Sequence, residues 1–465
     1  MNILSPIYRN SISFFKEGFL RPLSSQQKKI LVIVSIAFGF LTACCFLISR
    51  FRLKSKITEV LDTPESIFEM RKPLEIPKNI AHIKGQRWED YKEGMTTFSF
   101  EIFQKFIAES QTENLLISPL GISLLLAMIK HGISQDDQEE IERIIYLPQE
   151  ESVLQQSAFR LIKKLTDNGL DFASLLYLNG HYRLNPEYKS LVSQHYQAKV
   201  VSGFTADPVN AGVKTATNGQ IKEIISQNDL INFFLLLVNT IHFKGIWAKP
   251  FKPGKTYSAN FMAPAGKMRT SMMHIDDEFE YFENDKCQAV ILPYSDKSEF
   301  SMLLVLPKEN NDFSFVENLS LAEVILEGMA PEKVQLAVPK FKIEQQVDVK
   351  EILGKMGVVH LFENPDFSKL VDLEHPATRE VLPELRISKI VQKSVLACDE
   401  EGTEASSVTA EILIGKGIEI GPEDTKIINF NRPFIVALLF QGGPIQIGLI
   451  RSPTANNCHC DHARL

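Results

Sequence analysis

The feature that most constrains this chain is an uninterrupted apolar run near its N-terminus. Residues Ile30 to Ile48 are 19 consecutive residues without a charge, and basic residues lie on both sides of them. A helix of that length can just span a hydrocarbon core of about 30 Å. A buried core helix fits poorly, because such helices rarely need basic clusters at both ends. We therefore predict a transmembrane or signal-anchor segment at residues 30–48.

Two forms of anchoring fit this segment. The basic charges on its two sides nearly balance, so the positive-inside rule gives no firm orientation. Leu41 to Cys44 resembles a bacterial lipoprotein cleavage box, in which Cys44 would be lipidated, but the preceding leader is long and the apolar run continues to Ile48. We prefer an uncleaved signal-anchor, with the following domain on the extracytoplasmic or secreted side, and keep lipidation of Cys44 as the second interpretation.

The rest of the chain divides by texture. Of its 465 residues 44% are hydrophobic, which is enough for a large core, and six cysteines are too sparse for a disulfide scaffold. A net charge of −7 argues against a nucleic-acid partner. The predicted divisions are an N-terminal tail at 1–29, the membrane segment at 30–48, a charged and proline-containing stalk at 49–90, one globular domain at 91–454, and a C-terminal tail at 455–465.

Periodicity within the globular part predicts both helices and strands. Apolar residues recur at helical spacing from Thr97 to Ala108, and Ser118-Pro119 begins a second, almost wholly apolar helix ending at Lys130. Strand-like runs follow, and the last two flank Gln441-Gly442-Gly443-Pro444, which has the composition of a hairpin turn. Helices early and strands later indicate an α+β domain with a large, mainly antiparallel sheet. The expected strands are residues 175–178, 233–243, 289–292, 302–306, 334–338, 434–440 and 445–450.

Five motifs in order across residues 95–453 resemble the serpin family of serine protease inhibitors. Each motif alone is weak, but five at family spacing are specific. The resemblance implies a serpin fold with a large central sheet, further sheets, about eight or nine helices and an exposed reactive loop. The motifs begin at Asn114 (NLLISPLGI), Asn239 (NTIHFKGIW), Val338 (VPKF), Leu385 (LRISK, leading to DEEGTEA from Asp399) and Asn431 (NRPF).

The resemblance also implies a mechanism and a hinge. In the family, a protease cuts the exposed loop, which then enters the main sheet as an extra strand and carries the acyl-enzyme with it. Alternate residues of an inserted strand face the buried side. Here the inward residues are small and uncharged: Thr403, Ala405, Ser407 and Thr409. The predicted hinge consists of Glu400, Glu401, Gly402, Thr403, Glu404, Ala405, Ser406, Ser407, Val408 and Thr409.

The bond offered to the protease can be located by count. In typical inhibitory members it lies fourteen residues after the hinge glycine, which here gives Lys416, followed by Gly417. Lys416 is also the only basic residue between Glu400 and Asp424. A lysine at this position suits a protease with a carboxylate in its specificity pocket, as in trypsin-like enzymes. The sequence therefore predicts a covalent complex with a trypsin-like serine protease.

Two departures from the family pattern carry predictions. The hydrogen-bonded cluster beneath the main sheet, the shutter, corresponds to Ser118, Gly121, Asn239 and Gln392, with Gly121 in place of a serine and Gln392 in place of a histidine. Because Gln392 does not titrate, we expect little pH dependence of sheet opening between pH 5 and 8. Glu411 shares the inward parity of Thr409, so its carboxylate should hinder the end of insertion and release some cleaved inhibitor.

Other classes of function and ligand are not expected. No nucleophile–base constellation of known spacing is present, so we do not predict an enzyme, a cofactor or a metal site. The tail residues Cys458 to His462 include possible metal ligands, but a disordered tail is the preferred interpretation. An acidic segment at Asp136 to Glu140 argues against a heparin-like cofactor. The chain is expected to be monomeric, and the alternative function is a non-inhibitory serpin that acts as a binding or chaperone protein.

Overall fold

The computed structural model describes residues 88–109, 112–146, 150–295, 298–308, 328–363, 365–372, 385–403 and 425–453. All of them belong to one compact unit, Ile83–Leu465. The predicted membrane segment at 30–48, Cys44, the stalk up to residue 87 and the C-terminal tail from residue 455 lie outside the described residues. No helix in the described ranges is long and apolar enough to cross a membrane.

Eight α-helices lie within the described residues. The second helix shows why the sequence forms it: Ser118 caps its N-terminus by accepting a hydrogen bond from Gly121 N, and Pro119 occupies the first turn, where a missing N–H costs nothing. Every residue of this helix is buried, which explains its all-round apolar composition. The helices are α1 (Trp88–Glu109), α2 (Pro119–Lys130), α3 (Gln135–Ile145), α4 (Glu151–Asp167), α5 (Pro186–His195), α6 (Asp207–Ala216), α7 (Lys350–Lys355) and α8 (His360–Glu363).

The strands within the described ranges form three sheets. The largest has nine strands, the next has five and the smallest has two. The strands are β1 (Leu115–Ile117), β2 (Leu170–Asn179), β3 (Lys199–Gly203), β4 (Leu235–Phe243), β5 (Gly245–Ile246), β6 (Thr256–Ala263), β7 (Gly266–Glu283), β8 (Cys287–Pro293), β9 (Phe300–Pro307), β10 (Ala330–Pro339), β11 (Phe341–Asp348), β12 (Ile387–Cys398), β13 (Gly402–Thr403), β14 (Lys426–Asn429), β15 (Phe434–Phe440) and β16 (Gly443–Ile450).

Strand order separates the two large sheets. The nine-stranded sheet runs β1-β16-β15-β9-β8-β7-β10-β14, with β6 paired to β7, and the five-stranded sheet runs β11-β12-β4-β2-β3. Three pairings, β2–β3, β4–β12 and β10–β14, are parallel and the others are antiparallel. The prediction of an α+β fold with a large, mainly antiparallel sheet is confirmed.

The predicted elements lie where the periodicity put them, with shifted ends. The helix predicted from Thr97 begins earlier, at Trp88, which is inside the segment assigned to the stalk. The final hairpin is present: Phe440 pairs with Gly443, and the two turn residues Gln441 and Gly442 both have positive φ. Such angles define a type I′ turn, whose twist matches the flanking strands.

One parallel pairing dominates the geometry of the five-stranded sheet. Its central strand β4 is completely buried, and β12 is nearly so. β4 and β12 run side by side in the same direction, from the pair Ile387–Leu235 to the pair Val395–His242. We call this boundary between β4 and β12 the seam. The chain leaves β12 at Cys398 and turns directly into the predicted hinge.

Candidate functional site

The middle of the seam carries the predicted shutter residues, and the structure brings all four together. Gln392 of β12 and Asn239 of β4 are direct partners in the register. Gln392 Oε1 accepts from Ser118 N at 2.7 Å, while its Nε2 donates to Ser118 O at 2.8 Å and to Asn239 Oδ1 at 3.2 Å. One fully buried amide therefore ties β12 both to β4 and to the start of α2.

Gly121 completes this cluster by leaving room for it. A Cβ atom at residue 121 would overlap Asn239 Oδ1 and would lie 2.9 Å from Gln392 Nε2. The glutamine amide thus lies against the space that a larger residue 121 would need. The two altered shutter residues, a glycine at 121 and a glutamine at 392, are therefore one structural arrangement. Ser118 Oγ adds a link to the nine-stranded sheet by donating to Ile445 O at 2.7 Å.

At the C-terminal end of β12, the seam meets a tight turn formed by Asp399 to Gly402. Asp399 N donates to Gly402 O at 2.9 Å, and the Asp399 carboxylate accepts from the backbone N–H groups of Glu401 at 2.9 Å and Gly402 at 3.1 Å. An aspartate that bonds its own turn in this way is a common turn former. A Cβ at residue 402 would overlap the carbonyl oxygen of Gly245, so only glycine fits this approach.

Glu400 anchors the turn to the body of the protein. Its carboxylate accepts from Lys340 Nζ at 2.6 Å and from Thr256 Oγ1 at 2.9 Å, and only 7% of the residue is exposed. Burial alone would raise the pKa of this carboxyl. The hydrogen bonds from Lys340 and Thr256 outweigh that effect, so the pKa of Glu400 lies below its ordinary value. The carboxylate is therefore ionised at neutral pH.

Thr403, the last described residue of the hinge, is buried. Gly402 and Thr403 form the short strand β13, which pairs with Gly245 and Ile246 of β5, just beyond the end of β4. The Thr403 hydroxyl lies 2.6 Å from the hydroxyl of Tyr294. Tyr294 in turn stacks on Trp247, with ring centroids 4.4 Å apart and an interplanar angle of 17°. The first two small hinge residues are thus already paired with β5, the segment that continues the chain beyond β4.

Trp247 also holds the backbone of the turn. Its indole Nε1 donates to Asp399 O and its backbone N donates to Glu401 O, both at 2.9 Å. Phe251 N donates to Glu400 O at 2.9 Å. Three consecutive carbonyls of the turn therefore have partners on the segment that follows β4.

The remaining predicted loop residues lie outside the described residues. These are Glu404 to Thr409, Glu411, and the predicted reactive bond Lys416–Gly417. Sequence reasoning identified Glu400 as a hinge residue but missed the partners that hold it and its neighbours. Lys340, Thr256 and Tyr294 are separated from the hinge by 60, 144 and 109 residues, so no local spacing could reveal those contacts.

The described cysteines do not form a reactive centre. Cys287 and Cys398 are both free and buried. Burial raises the pKa of the Cys287 thiol to about 11 and raises the pKa of the Cys398 thiol as well. Neither thiol is ionised at neutral pH, which a nucleophile or a metal ligand would require.

The family is decided by comparison with known proteins. A family model described as serpin (serine protease inhibitor) matches residues 93–451. The chain belongs to the serpin family. An uncharacterised serpin-like protein of Thermococcus kodakarensis is 32% identical over 357 residues, covering 73% of this chain and 80% of the relative.

Other relatives of this serpin differ in what their names describe. The leukocyte elastase inhibitor of Xenopus tropicalis is 31% identical over 348 residues, covering 70% of this chain and 90% of the relative. Human thyroxine-binding globulin in complex with thyroxine is similar in structure, with a TM-score of 0.68, 26% identity, and coverage of 78% of this chain and 98% of the globulin. The family thus includes proteins named for inhibition and proteins named for binding.

Proposed function

We propose that this serpin is a suicide-substrate inhibitor of trypsin-like serine proteases. The protease attacks the bond between Lys416 and Gly417, and the cleaved loop then inserts into the seam before the acyl-enzyme is hydrolysed. Chemistry belongs to the protease, whose serine forms the ester with Lys416. The inhibitor contributes the bait and the free energy of insertion.

The observation that carries this proposal is the direction of the two seam strands. β4 and β12 are parallel neighbours, and parallel pairing is slightly less stable per residue than antiparallel pairing. A strand that returns from the end of β12 runs antiparallel to β12 and, for the same reason, antiparallel to β4. Insertion therefore replaces one parallel interface by two antiparallel interfaces, and neither β4 nor β12 has to reverse its direction.

The turn at Asp399 to Gly402 sets the register of such an insertion. Because Asp399 N donates to Gly402 O, these two residues lie opposite each other. Each further step forward along the inserted loop then faces a residue one step further back along β12. Thr409 then lies opposite Gln392, and Glu411 lies opposite Ile390. The small residue Thr409 would arrive at the shutter, where Gln392 and Asn239 offer hydrogen-bonding groups.

The energetics favour insertion despite Glu411. Each net ladder hydrogen bond contributes about 0.5–1.5 kcal/mol, so a dozen of them yield on the order of 10 kcal/mol. Ile390 is fully buried, and burial of the Glu411 carboxylate beside it costs several kcal/mol, about a third of that gain. We infer that insertion proceeds, and that its last steps are slow enough for a fraction of the acyl-enzyme to be hydrolysed.

A non-inhibitory binding function is the second candidate. Its support is the similarity to thyroxine-binding globulin, whose name describes the binding of thyroxine. Small hinge residues favour the inhibitory function, because a loop that never inserts has no need for them. The elastase inhibitor named among the relatives is consistent with that function. The two candidates differ in one measurable product, a covalent complex.

The wider setting of the inhibitor is also part of the proposal. Residues 30–48 anchor a monomeric serpin domain, residues 91–454, to a membrane on its extracytoplasmic side, with lipidation of Cys44 as the second mode. We propose no nucleic-acid partner and no heparin-like cofactor. The acidic helix α3 instead makes hydrogen bonds within the domain: Glu140 accepts from the backbone N–H groups of Val359 and His360 at 3.0 and 3.1 Å.

The test is to incubate the full chain, in mild detergent, with a panel of trypsin-like proteases. We expect a complex that survives denaturing electrophoresis and a released fragment whose first residue is Gly417. Lys416→Ala should abolish the complex with these proteases. Lys333→Ala, which removes an exposed lysine of β10, should leave it unchanged. Cleavage at Gly417 without any complex would overturn the inhibitory proposal in favour of the binding function.

A further inference from the structure

Next to the shutter, the seam carries two buried polar side chains that the shutter does not use. Ser394 of β12 lies two residues beyond Gln392, so it points to the same face of the five-stranded sheet. Gln446 of β16 reaches this level from the nine-stranded sheet, because its Nε2 donates to Ile241 O at 3.5 Å and Ile241 is the register partner of Ser394. Ser394 and Gln446 are both fully buried.

Both side chains hold an atom that is not satisfied in the uninserted sheet. Neither Ser394 Oγ nor Gln446 Oε1 has a hydrogen-bond partner among the described residues. Buried polar groups nearly always find a partner, and one that does not is destabilising. The amide of Gln392, two residues away, makes three hydrogen bonds. The seam is therefore well bonded at the shutter and unsatisfied at the next level towards the hinge.

The turn at the hinge indicates which loop residue would enter at that level. Asp399 and Gly402 lie opposite each other, since Asp399 N donates to Gly402 O. The residue five places back from Asp399 along β12 is Ser394. The residue five places forward from Gly402 along the loop is Ser407. An inserted strand that keeps the register of the turn therefore brings Ser407 opposite Ser394.

The pairing of β13 gives the same answer from the other side of the seam. Thr403 pairs with Gly245 in an antiparallel ladder. Four residues forward from Thr403 is Ser407, and four residues back from Gly245 is Ile241. Because Ile241 and Ser394 are already register partners, the two counts agree. The loop can thus enter between β4 and β12 without a shift in the register of either strand.

The orientation of the entering side chain follows from this register. Directly opposite residues of an antiparallel pair point to the same face of the sheet. Ser407 would therefore share the face of Ser394 and point towards Gln446. A hydroxyl both donates and accepts, so it can donate to Gln446 Oε1 while it accepts from Ser394 Oγ. A slip of one residue would turn Ser407 to the opposite face.

We propose that Ser394 and Gln446 form a receiving site for the hydroxyl of Ser407, which satisfies both side chains only when the loop has inserted. Ser394 and Gln446 are thus positioning residues of the insertion step. Their unpaired atoms make the uninserted sheet less stable, and their bonds to Ser407 stabilise the inserted strand in one register. This role rests on the proposed inhibitory function, because it requires loop insertion.

The test compares the thermal unfolding midpoints of the intact and the loop-cleaved full chain, in mild detergent. A metalloprotease that cuts after Thr409 prepares the cleaved form, since its metal-bound water forms no acyl-enzyme. The quantity measured is the gap between the two midpoints. Ser394→Ala should not lower the intact midpoint, because it removes an unpaired hydroxyl. It should lower the cleaved midpoint, so that the gap narrows by about 3 °C.

Ser407→Ala identifies the occupant of the site. It should lower the midpoint of the cleaved chain by a similar amount and leave that of the intact chain unchanged. The double variant Ser394→Ala with Ser407→Ala should lose little more than the larger single variant, because both substitutions remove the same interaction. Additive losses in the cleaved chain would show that the two hydroxyls do not meet, and would overturn the proposal.

Ser99→Ala is the matched control. Ser99 is fully buried and donates to Met95 O at 2.6 Å within α1, so its hydroxyl is bonded whether or not the loop has inserted. Both midpoints should fall together, and the gap should stay within about 1 °C of the wild type. Gln446→Met is the second cleft-free test of the site, since it removes the other unpaired atom, and should narrow the gap as Ser394→Ala does.

Two kinds of failure can be told apart. If cleavage stabilises the wild type but Ser394→Ala and Gln446→Met keep the full gap, the side chains are equally satisfied in both forms and the receiving site is wrong, while insertion stands. If cleavage does not stabilise the wild type at all, insertion fails, and the inhibitory function and the receiving site fail with it.

Discussion

Replacing Gln392 by methionine tests the role of the shutter most cleanly, because methionine keeps the length of the side chain and removes its polar atoms. In the wild type the amide of Gln392 satisfies Ser118 N and Asn239 Oδ1, both buried. Ser118 O keeps a second partner, Ile122 N, at 3.1 Å. The substitution therefore leaves two buried polar groups without the partner that Gln392 supplied.

Each such group costs about 1–3 kcal/mol, so we expect Gln392→Met to lower the free energy of unfolding by about 4 kcal/mol. The assay is urea unfolding of the uncleaved chain, followed by tryptophan fluorescence and circular dichroism to check that the transitions coincide. The matched control is Gln346→Met on the neighbouring strand β11, where Gln346 is exposed and donates a hydrogen bond to Ile224 O at 3.1 Å. That control should change stability by about 0.5 kcal/mol or less.

The same variant should also insert its loop more readily, because the amide link across the seam is lost. Spontaneous conversion to a form that no longer inhibits should be faster in Gln392→Met than in either the wild type or Gln346→Met. A loss of stability below about 1 kcal/mol in Gln392→Met would refute the shutter geometry as the link between β4 and β12.

Three further predictions concern titration and the loop. Burial lowers the pKa of His131 from 6.5 to about 4, with Tyr196 Oη 2.8 Å from its Nε2, and outweighs the opposing charge of Glu151. The neutral His131 therefore contributes its full stability above pH 6.5, and this contribution is lost as the pH falls towards 4. Relative to His131→Gln, the free energy of unfolding of the wild type should fall by about 3 kcal/mol between pH 7 and 4. A difference between the two proteins that stays constant over this pH range would contradict this. Gln392→His should introduce a pH dependence of the inhibition rate between pH 5 and 8 that the wild type lacks, after subtraction of the protease's own profile; a steep wild-type profile would show that another group controls opening. Glu411→Val should reduce the fraction of cleaved inhibitor released with free protease, and an unchanged fraction would remove the role assigned to Glu411.

Much of the fold could be predicted because its strongest signals are local. The all-apolar helix α2 is marked by Ser118 and Pro119 at its start, and the hairpin of β15 and β16 is marked by its turn residues. Strand β7 was not predicted, and the reason lies in its sequence pattern. Its 18 residues alternate only in part, and its acidic second half resembles a solvated loop until it pairs with β10.

The sequence could predict which residues belong to the site, but not which contacts they make. The family motifs identify Ser118, Asn239 and Gln392 as one cluster, and the structure brings them within hydrogen-bonding distance. Local patterns carry no information about which distant side chains meet the hinge. The bonds from Lys340 to Glu400 and from Tyr294 to Thr403 depend on how two sheets pack, and packing is decided by the whole chain.

The central claim is that the cleaved loop becomes a strand of the five-stranded sheet. The most direct test is thermal unfolding of the chain before and after cleavage within the loop. An insertion gain on the order of 10 kcal/mol, spread over the unfolding entropy of a domain of roughly 360 residues, raises the unfolding midpoint by about 10 °C or more. A cleaved chain that unfolds at the same temperature as the intact one, or below it, would contradict insertion into the seam.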